Sequence, residues 1–146
     1  MRTTRLIGAV CALLFLAALS ACGSSASSSS GVGPAGGPGL VASWSLTSAA
    51  INSSDLSKFG ITLTFTDTTA SGFGGVNQYT ATFTSEPAGD LDFGDMASTE
   101  MAGPADAMQA EQSYFAALGT VTGYTVSGDE LELFAGEQEI LIYAKG

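Results

Sequence analysis

The chain has 146 residues, with 14 acidic and 4 basic side chains, two cysteines and no histidine. Without histidine, the common Ser-His-Asp triads are excluded and a catalytic zinc site is disfavoured. The formal net charge of −10 argues against nucleic acid and anionic lipid headgroups as partners, because an acidic surface repels both.

The first segment has the pattern of an export signal. Arg2 and Arg5 form a basic start, and the run Leu6–Leu19 is apolar but shorter than the roughly 20 residues that span a bilayer. The sequence Leu-Ser-Ala-Cys that ends at Cys22 resembles the lipobox of bacterial lipoproteins, in which this cysteine is lipidated and becomes the mature N-terminus. The alternative is an ordinary signal peptide with an incidental cysteine. We adopt the lipoprotein interpretation, with residues 1–21 as the signal peptide.

Residues 22–39 are predicted to be the lipidated cysteine and a flexible tether, because Gly, Ser, Ala and Pro dominate the segment and cannot form a core. Cys11 leaves with the signal and Cys22 carries lipid. The predicted domain, residues 40–146, therefore has no cysteine for a disulfide, a thiol nucleophile or a thiolate metal site. Acyl chains on Cys22 would hold the domain on the extracytoplasmic face of the cell membrane.

The first part of the domain reads as strands. Trp44 and Leu46 share one face of an opening strand, and Ile61–Thr66 and Tyr79–Thr84 alternate apolar residues with threonine, as half-solvated antiparallel strands do. The Gly-, Thr- and Ser-rich residues 67–78 between them are predicted to form a long turn.

The second part contains a short strand at Leu91 and Phe93, with Gly94 marking a bulge or bend. One helix is predicted from Pro104 to Leu118, with Pro104 in the first helical position and Gly119 as a left-handed stop. Three residues define its apolar face: Met108, Phe115 and Leu118. A meander of three strands follows: residues 121–126, 130–134 and 139–144. The predicted fold class is α+β, a small curled antiparallel sheet or partial barrel of about seven strands around one helix.

Several of these segments, in this order, resemble the META domain of the HslJ-like group of small envelope proteins. They are the opening tryptophan strand, Ile61–Phe65, Gly72–Tyr79, Ser98–Gly103, the helix and Leu131–Leu133. The resemblance covers roughly residues 41–144 and implies a barrel-like sheet holding one helix, with a role in envelope stress, secretion or surface interaction. Many members of the family carry two cysteines at the positions of Val76 and Gly103, which implies that these two residues face each other.

Glu111 lies on the apolar side of the predicted helix, where a buried charge is costly unless donors meet it. We interpret it as a structural acid that ties the helix to the turn Gly72–Tyr79; the alternatives are a catalytic acid in a cleft and simple exposure. In that turn Gly75 would supply a positive φ and Asn77 would bond its neighbours. Trp44 is assigned a structural role in the core.

The remaining patterns do not indicate a reaction. Asp90–Asp95 lacks the ligand spacing of a calcium loop, no pair of carboxylates is selected for glycoside hydrolysis, and no metal or other cofactor is expected. The predicted function is a non-catalytic binding module anchored in the cell envelope, with envelope proteins as partners and a part in the stress response. The alternative is a barrel that binds lipid or a small apolar ligand.

Overall fold

The computed structural model describes residues 39–51 and 55–146. The predicted signal peptide, Cys22 and residues 22–38 of the predicted tether lie outside this range. Eight strands and one α-helix make up the described part: β1 (Ser43–Ala49), β2 (Thr62–Phe65), β3 (Thr69–Phe73), β4 (Gln78–Ser85), β5 (Leu91–Ser98), α1 (Ala105–Leu118), β6 (Gly123–Ser127), β7 (Glu130–Ala135) and β8 (Gln138–Lys145). A single 3₁₀ turn, Ser57–Phe59, lies between β1 and β2. Among the described residues, no helix combines the length and the hydropathy of a membrane-spanning segment.

The strands form one antiparallel sheet in the order β5-β4-β3-β2-β1-β8-β7-β6. Its two outer strands meet only at their first residues, where the Tyr124 N–H donates to the Gly89 carbonyl at 2.7 Å and the Leu91 N–H donates to the Thr122 carbonyl at 3.2 Å. The sheet therefore curls through most of a barrel without closing. The predicted α+β curled sheet is confirmed, with eight strands where about seven were expected.

The additional strand is β3, which lies inside the segment predicted to be a turn. Its one fully buried side chain is Ala70, and Gly72 offers no side chain at all, so the strand lacks the apolar alternation that reveals its neighbours. A Cβ at Gly72 would clash with the Thr62 carbonyl of β2. Pairing on both sides, with β2 and β4, stabilises this strand in place of its own side chains.

Strand β5 runs on to Ser98, beyond the short strand predicted around Leu91. Its pairing with β4 slips by one residue, because Ala81 pairs with Met96 whereas Phe83 pairs with Phe93. The extra residue lies at Gly94–Asp95, so the predicted bulge at Gly94 is confirmed. The predicted meander of β6, β7 and β8 is also confirmed, and two-residue turns that begin with Gly128 and Gly136 connect its strands.

Helix α1 has a different buried face from the predicted one. Its buried residues are Ala107, Ala110, Glu111, Tyr114, Ala117 and Leu118. Leu118 is on this face as expected and Phe115 is half-buried, but Met108 is 37% exposed, so its assignment to the core was wrong. The alanines on this face are small, and its largest fully buried side chain is Tyr114.

Both predicted ends of the helix also differ in detail. Pro104 (φ −54°, ψ 143°) precedes the first helical residue and does not occupy it. Gly119 is right-handed (φ −68°, ψ −8°), not left-handed, and its N–H donates to the Phe115 carbonyl at 3.1 Å. The chain leaves the helix through further tight turns, in which the Thr120 hydroxyl donates to the Ala117 carbonyl at 2.8 Å.

The interior of the curled sheet is filled by large side chains. Those with almost no exposed surface include Trp44, Phe65, Leu63, Leu91, Leu131, Leu133, Leu141 and Tyr143. Trp44 donates from Nε1 to the Leu40 carbonyl at 3.1 Å, and Leu40 is itself fully buried. This bond fixes the chain where it enters the domain.

Candidate functional site

The buried charge of the domain is Glu111, placed by the second turn of α1 against the turn between β3 and β4. Its Oε2 accepts from the Val76 N–H at 3.0 Å and from the Asn77 N–H at 2.6 Å, and its Oε1 accepts from Asn77 Nδ2 at 2.7 Å. Both carboxylate oxygens are therefore occupied by protein donors. This is the contact between the helix and the Gly72–Tyr79 turn that the sequence predicts.

Asn77 is buried and connects three parts of the chain. Its Oδ1 accepts from the Thr99 hydroxyl at 2.8 Å and from the Met101 N–H at 2.7 Å, so its Nδ2 must point at Glu111. Its carbonyl accepts from the Gly74 N–H at 2.8 Å. The side-chain orientation is thus fixed, and Asn77 holds the turn, the helix and the segment after β5 together.

The two glycines of this turn allow the close approach. Gly75 has φ +119°, a backbone conformation that residues with a side chain rarely adopt. A Cβ at Gly74 would lie 2.9 Å from Glu111 Oε2 and 2.8 Å from the Phe115 ring. The glycines therefore serve the backbone geometry of the contact.

Val76 and Gly103 lie opposite each other, as the family resemblance implies. An ideal Cβ on Gly103 would lie 3.4 Å from Val76 Cβ and 2.8 Å from each of its methyl groups. The branched side chain of Val76 fills the space above Gly103. A pair of cysteines at the two positions would have Cβ atoms close to disulfide distance, which is about 3.5–4.5 Å.

A chain of buried tyrosine hydroxyls is a feature that the sequence did not reveal. Tyr79 donates to the Thr62 carbonyl at 2.9 Å, Tyr114 and Tyr79 hydroxyls are 2.7 Å apart, and Tyr143 donates to Tyr114 at 3.1 Å. Because Tyr79 uses its proton on the carbonyl, Tyr114 must donate to Tyr79. The alternation of Tyr79–Thr84 predicts that Tyr79 faces the core, but only the curl of the sheet brings the hydroxyls of Tyr79 and Tyr143 together at Tyr114 of the helix.

These hydroxyls are held in their neutral form. Burial is the main cause that raises the pKa of Tyr79, Tyr114 and Tyr143 well above the usual value for a phenol. Within residues 39–51 and 55–146, no three acidic, cysteine or histidine side chains lie close enough to share a metal ion. The Glu111 network joins the helix to the turn between β3 and β4, and the tyrosine network joins the helix to the sheet.

Two open grooves lie beside α1. One, of about 310 Å³, is polar and is lined by Asp55, Lys58, Phe59, Asp106, Gln109, Ala110 and Ser113. The other, of about 280 Å³, is more apolar and is lined by Ala50, Ile51, Ser113, Ala116, Ala117, Thr120 and Ile140. Each lies between the helix and a neighbouring segment of the chain, and neither is lined by Glu111 or by the buried tyrosines.

The outward face of β1–β4 has an unusual composition. We call it the hydroxyl face; its outward side chains are Ser43, Ser45, Thr62, Thr64, Thr69, Ser71, Phe73, Gln78, Thr80, Thr82 and Thr84. None is charged, although the chain carries 14 acidic side chains. The alternating strands predicted threonine outside, but their assembly into one continuous neutral surface depends on the strand order.

Comparison with known proteins gives the family. The model of the META domain matches residues 40–145. The chain belongs to the META domain family. Leu40, the first residue of the match, is fully buried. No curated protein matches the chain.

Solved structures share the fold of this META domain. A protein from Burkholderia xenovorans, determined by NMR, is 26% identical, with a TM-score of 0.57 over 73% of this chain and 82% of its own. A DUF4847 family protein from Bacteroides vulgatus, determined by crystallography, is 12% identical, with a TM-score of 0.55 over 73% of this chain and 94% of its own. At this identity the second likeness concerns the fold alone.

Proposed function

We propose that the chain is an extracytoplasmic lipoprotein, anchored through Cys22, whose META domain is a non-catalytic binding module of the cell envelope. The export signal and the lipobox-like sequence before Cys22 support the location. A part in envelope stress belongs to the same proposal and follows from the family resemblance.

The observation that carries the binding role is the closed network around Glu111. This carboxylate is the buried charge that would serve as a tuned catalytic acid, yet both of its oxygens are engaged by Val76 and Asn77. An acid whose lone pairs are used in this way stabilises the contact between helix and turn. We therefore assign the function of the domain to its surface residues, which would act by binding a partner.

The experiment is photo-cross-linking in cells that produce the full chain. A diazirine-bearing side chain at position 80, on the hydroxyl face, inserts into protein, glycan or lipid alike, and the same side chain at Thr125 on β6 is the matched control. An adduct with an envelope component that depends on position 80 supports the proposal. The absence of an adduct from both positions contradicts it.

A Cys22→Ala variant tests the anchor separately. Wild-type chain is expected in the membrane fraction, labelled by a clickable fatty acid fed to the cells. The variant should lose the label and leave the membrane, because a single acyl-bearing residue carries the whole attachment. Membrane attachment of the unlabelled variant would show that the cysteine is not the anchor.

The apolar groove beside α1 favours a second candidate, the binding of a lipid or other small apolar ligand. Its volume of about 280 Å³ is at the lower limit for such sites, and it is open to solvent. Ala116→Trp would fill it. Displacement of a fluorescent fatty acid by this substitution would favour the second candidate, and a wild-type chain that binds no fatty acid would remove it.

A further inference from the structure

The hydroxyl face is ordered in rows that run across the strands. Ser43 pairs with Thr64, Thr64 with Ser71, and Ser71 with Thr80. Neighbouring strands are about 4.8 Å apart, so this first row of four hydroxyls spans roughly 15 Å. A partner that lies across the strands therefore meets a hydrogen-bonding group at each step.

Several of these hydroxyls are available to a partner. Within residues 39–51 and 55–146, the side chains of Ser45, Ser71, Thr80 and Thr82 have no hydrogen-bonding partner in the protein, whereas Thr64 donates to Ser43 at 3.0 Å. A free hydroxyl offers one donor and two acceptor sites. Each threonine also presents a methyl group, so the surface alternates polar and apolar contacts on a small scale.

One aromatic ring belongs to this face. Phe73 is partly exposed, and it is outside the hydrophobic cluster that fills the sheet. It lies in a second row, because its N–H donates to the Thr62 hydroxyl at 3.0 Å and it pairs with Gln78 on β4. Beside this row, Gln78, Thr80, Ser98 and their neighbours line an open depression of about 240 Å³. A partner that lies along the rows would therefore contact the Phe73 ring and the depression as well.

The chemistry of the face restricts its partner. A charged partner finds no opposite charge on β1–β4. A tight protein partner is disfavoured too, because serine is depleted in protein interfaces while aromatic, methionine and arginine anchors are enriched. A neutral sugar chain fits: its hydroxyls exchange hydrogen bonds with the rows, and its C–H face packs on an aromatic ring by dispersion.

We propose that the hydroxyl face binds a neutral glycan, with Thr80 and its row supplying hydrogen bonds and Phe73 supplying the stacking surface. This inference rests on the proposed binding function and replaces the expected protein partner with a carbohydrate.

The test uses the purified full chain in detergent micelles and isothermal titration with neutral hexasaccharides of glucose, mannose and N-acetylglucosamine. Hexagalacturonate is the charged comparison. At least one neutral hexasaccharide should bind more tightly than hexagalacturonate. Thr80→Val removes one hydroxyl without changing shape and should weaken binding about three- to tenfold, the equivalent of one neutral hydrogen bond. Phe73→Ala should weaken it at least tenfold.

The matched control is Thr125→Val, the same change on an exposed threonine of β6 outside the face. It should alter binding less than twofold, and thermal unfolding establishes that all three variants are folded. Binding that survives both Thr80→Val and Phe73→Ala overturns the proposal. So does the absence of binding by every neutral hexasaccharide, or a cross-link from position 80 to protein alone; in the last case the binding module stands and only the glycan falls.

Discussion

Replacing Glu111 by glutamine keeps the shape of the side chain and removes its charge. The new amide oxygen can take the place of Oε2 and still accept from the Val76 and Asn77 N–H groups. The NH₂ group of the glutamine then faces Asn77 Nδ2, so two donors face each other. In the wild type, Glu111 Oε1 accepts from Asn77 Nδ2 at 2.7 Å. Asn77 cannot turn its own oxygen to this place, because that oxygen accepts from Thr99 and Met101.

The loss of stability follows from the hydrogen bonds that the substitution removes or weakens. One charge-assisted hydrogen bond worth about 1.5–3 kcal/mol is lost, and two more become neutral and weaker. We therefore expect Glu111→Gln to lower the free energy of unfolding by about 3 kcal/mol. In a domain of this size that corresponds to a fall in Tm of roughly 10–20 °C.

Urea unfolding at neutral pH, followed by circular dichroism, measures the change. Glu137→Gln is the control, since Glu137 lies exposed in the turn between β7 and β8 and the same substitution there should cost less than about 0.5 kcal/mol. If the two variants are equally stable, the carboxylate does not hold the helix to the turn and the structural assignment of Glu111 is wrong.

Three further predictions concern other contacts. Val76→Cys with Gly103→Cys should form a disulfide under mild oxidation, because the two Cβ positions are 3.4 Å apart; peptide mapping without reductant detects the link, and two free thiols would refute the pairing. Tyr143→Phe removes only the last donor of the hydroxyl chain and should cost about 1 kcal/mol in urea unfolding; a loss of several kcal/mol would contradict the direction assigned to the chain. Partial burial and then the charge of Glu139 raise the pKa of Glu132, so the folded state loses stability as the pH rises from the unfolded pKa through the raised pKa, and loses none below both. Glu139→Gln should therefore raise stability at pH 7 and leave it unchanged near pH 3, and equal effects at both pH values would refute the repulsion.

The strands β1, β2, β4 and the meander could be predicted because each alternates apolar and polar residues, and a half-buried strand requires that pattern. The helix could be predicted from its position between a proline and a glycine. The buried face of the helix could not be predicted, because Tyr114 and the small Ala110 and Ala117 are less hydrophobic than Met108, which is the more exposed residue. Only the shape of the surrounding sheet decides which side of such a helix is covered.

The sequence by itself determined the family, the α+β class, and Glu111 as an acid bound to the turn Gly72–Tyr79, since each depends on residue types at short spacing. Tertiary structure decided the rest. Strand β3 exists because its neighbours pair with it, the tyrosine hydroxyls meet because the sheet curls, and the hydroxyl face exists because four uncharged strands are adjacent in the sheet. These features join residues far apart in the chain, and the local sequence pattern does not indicate which distant segments are adjacent in the fold.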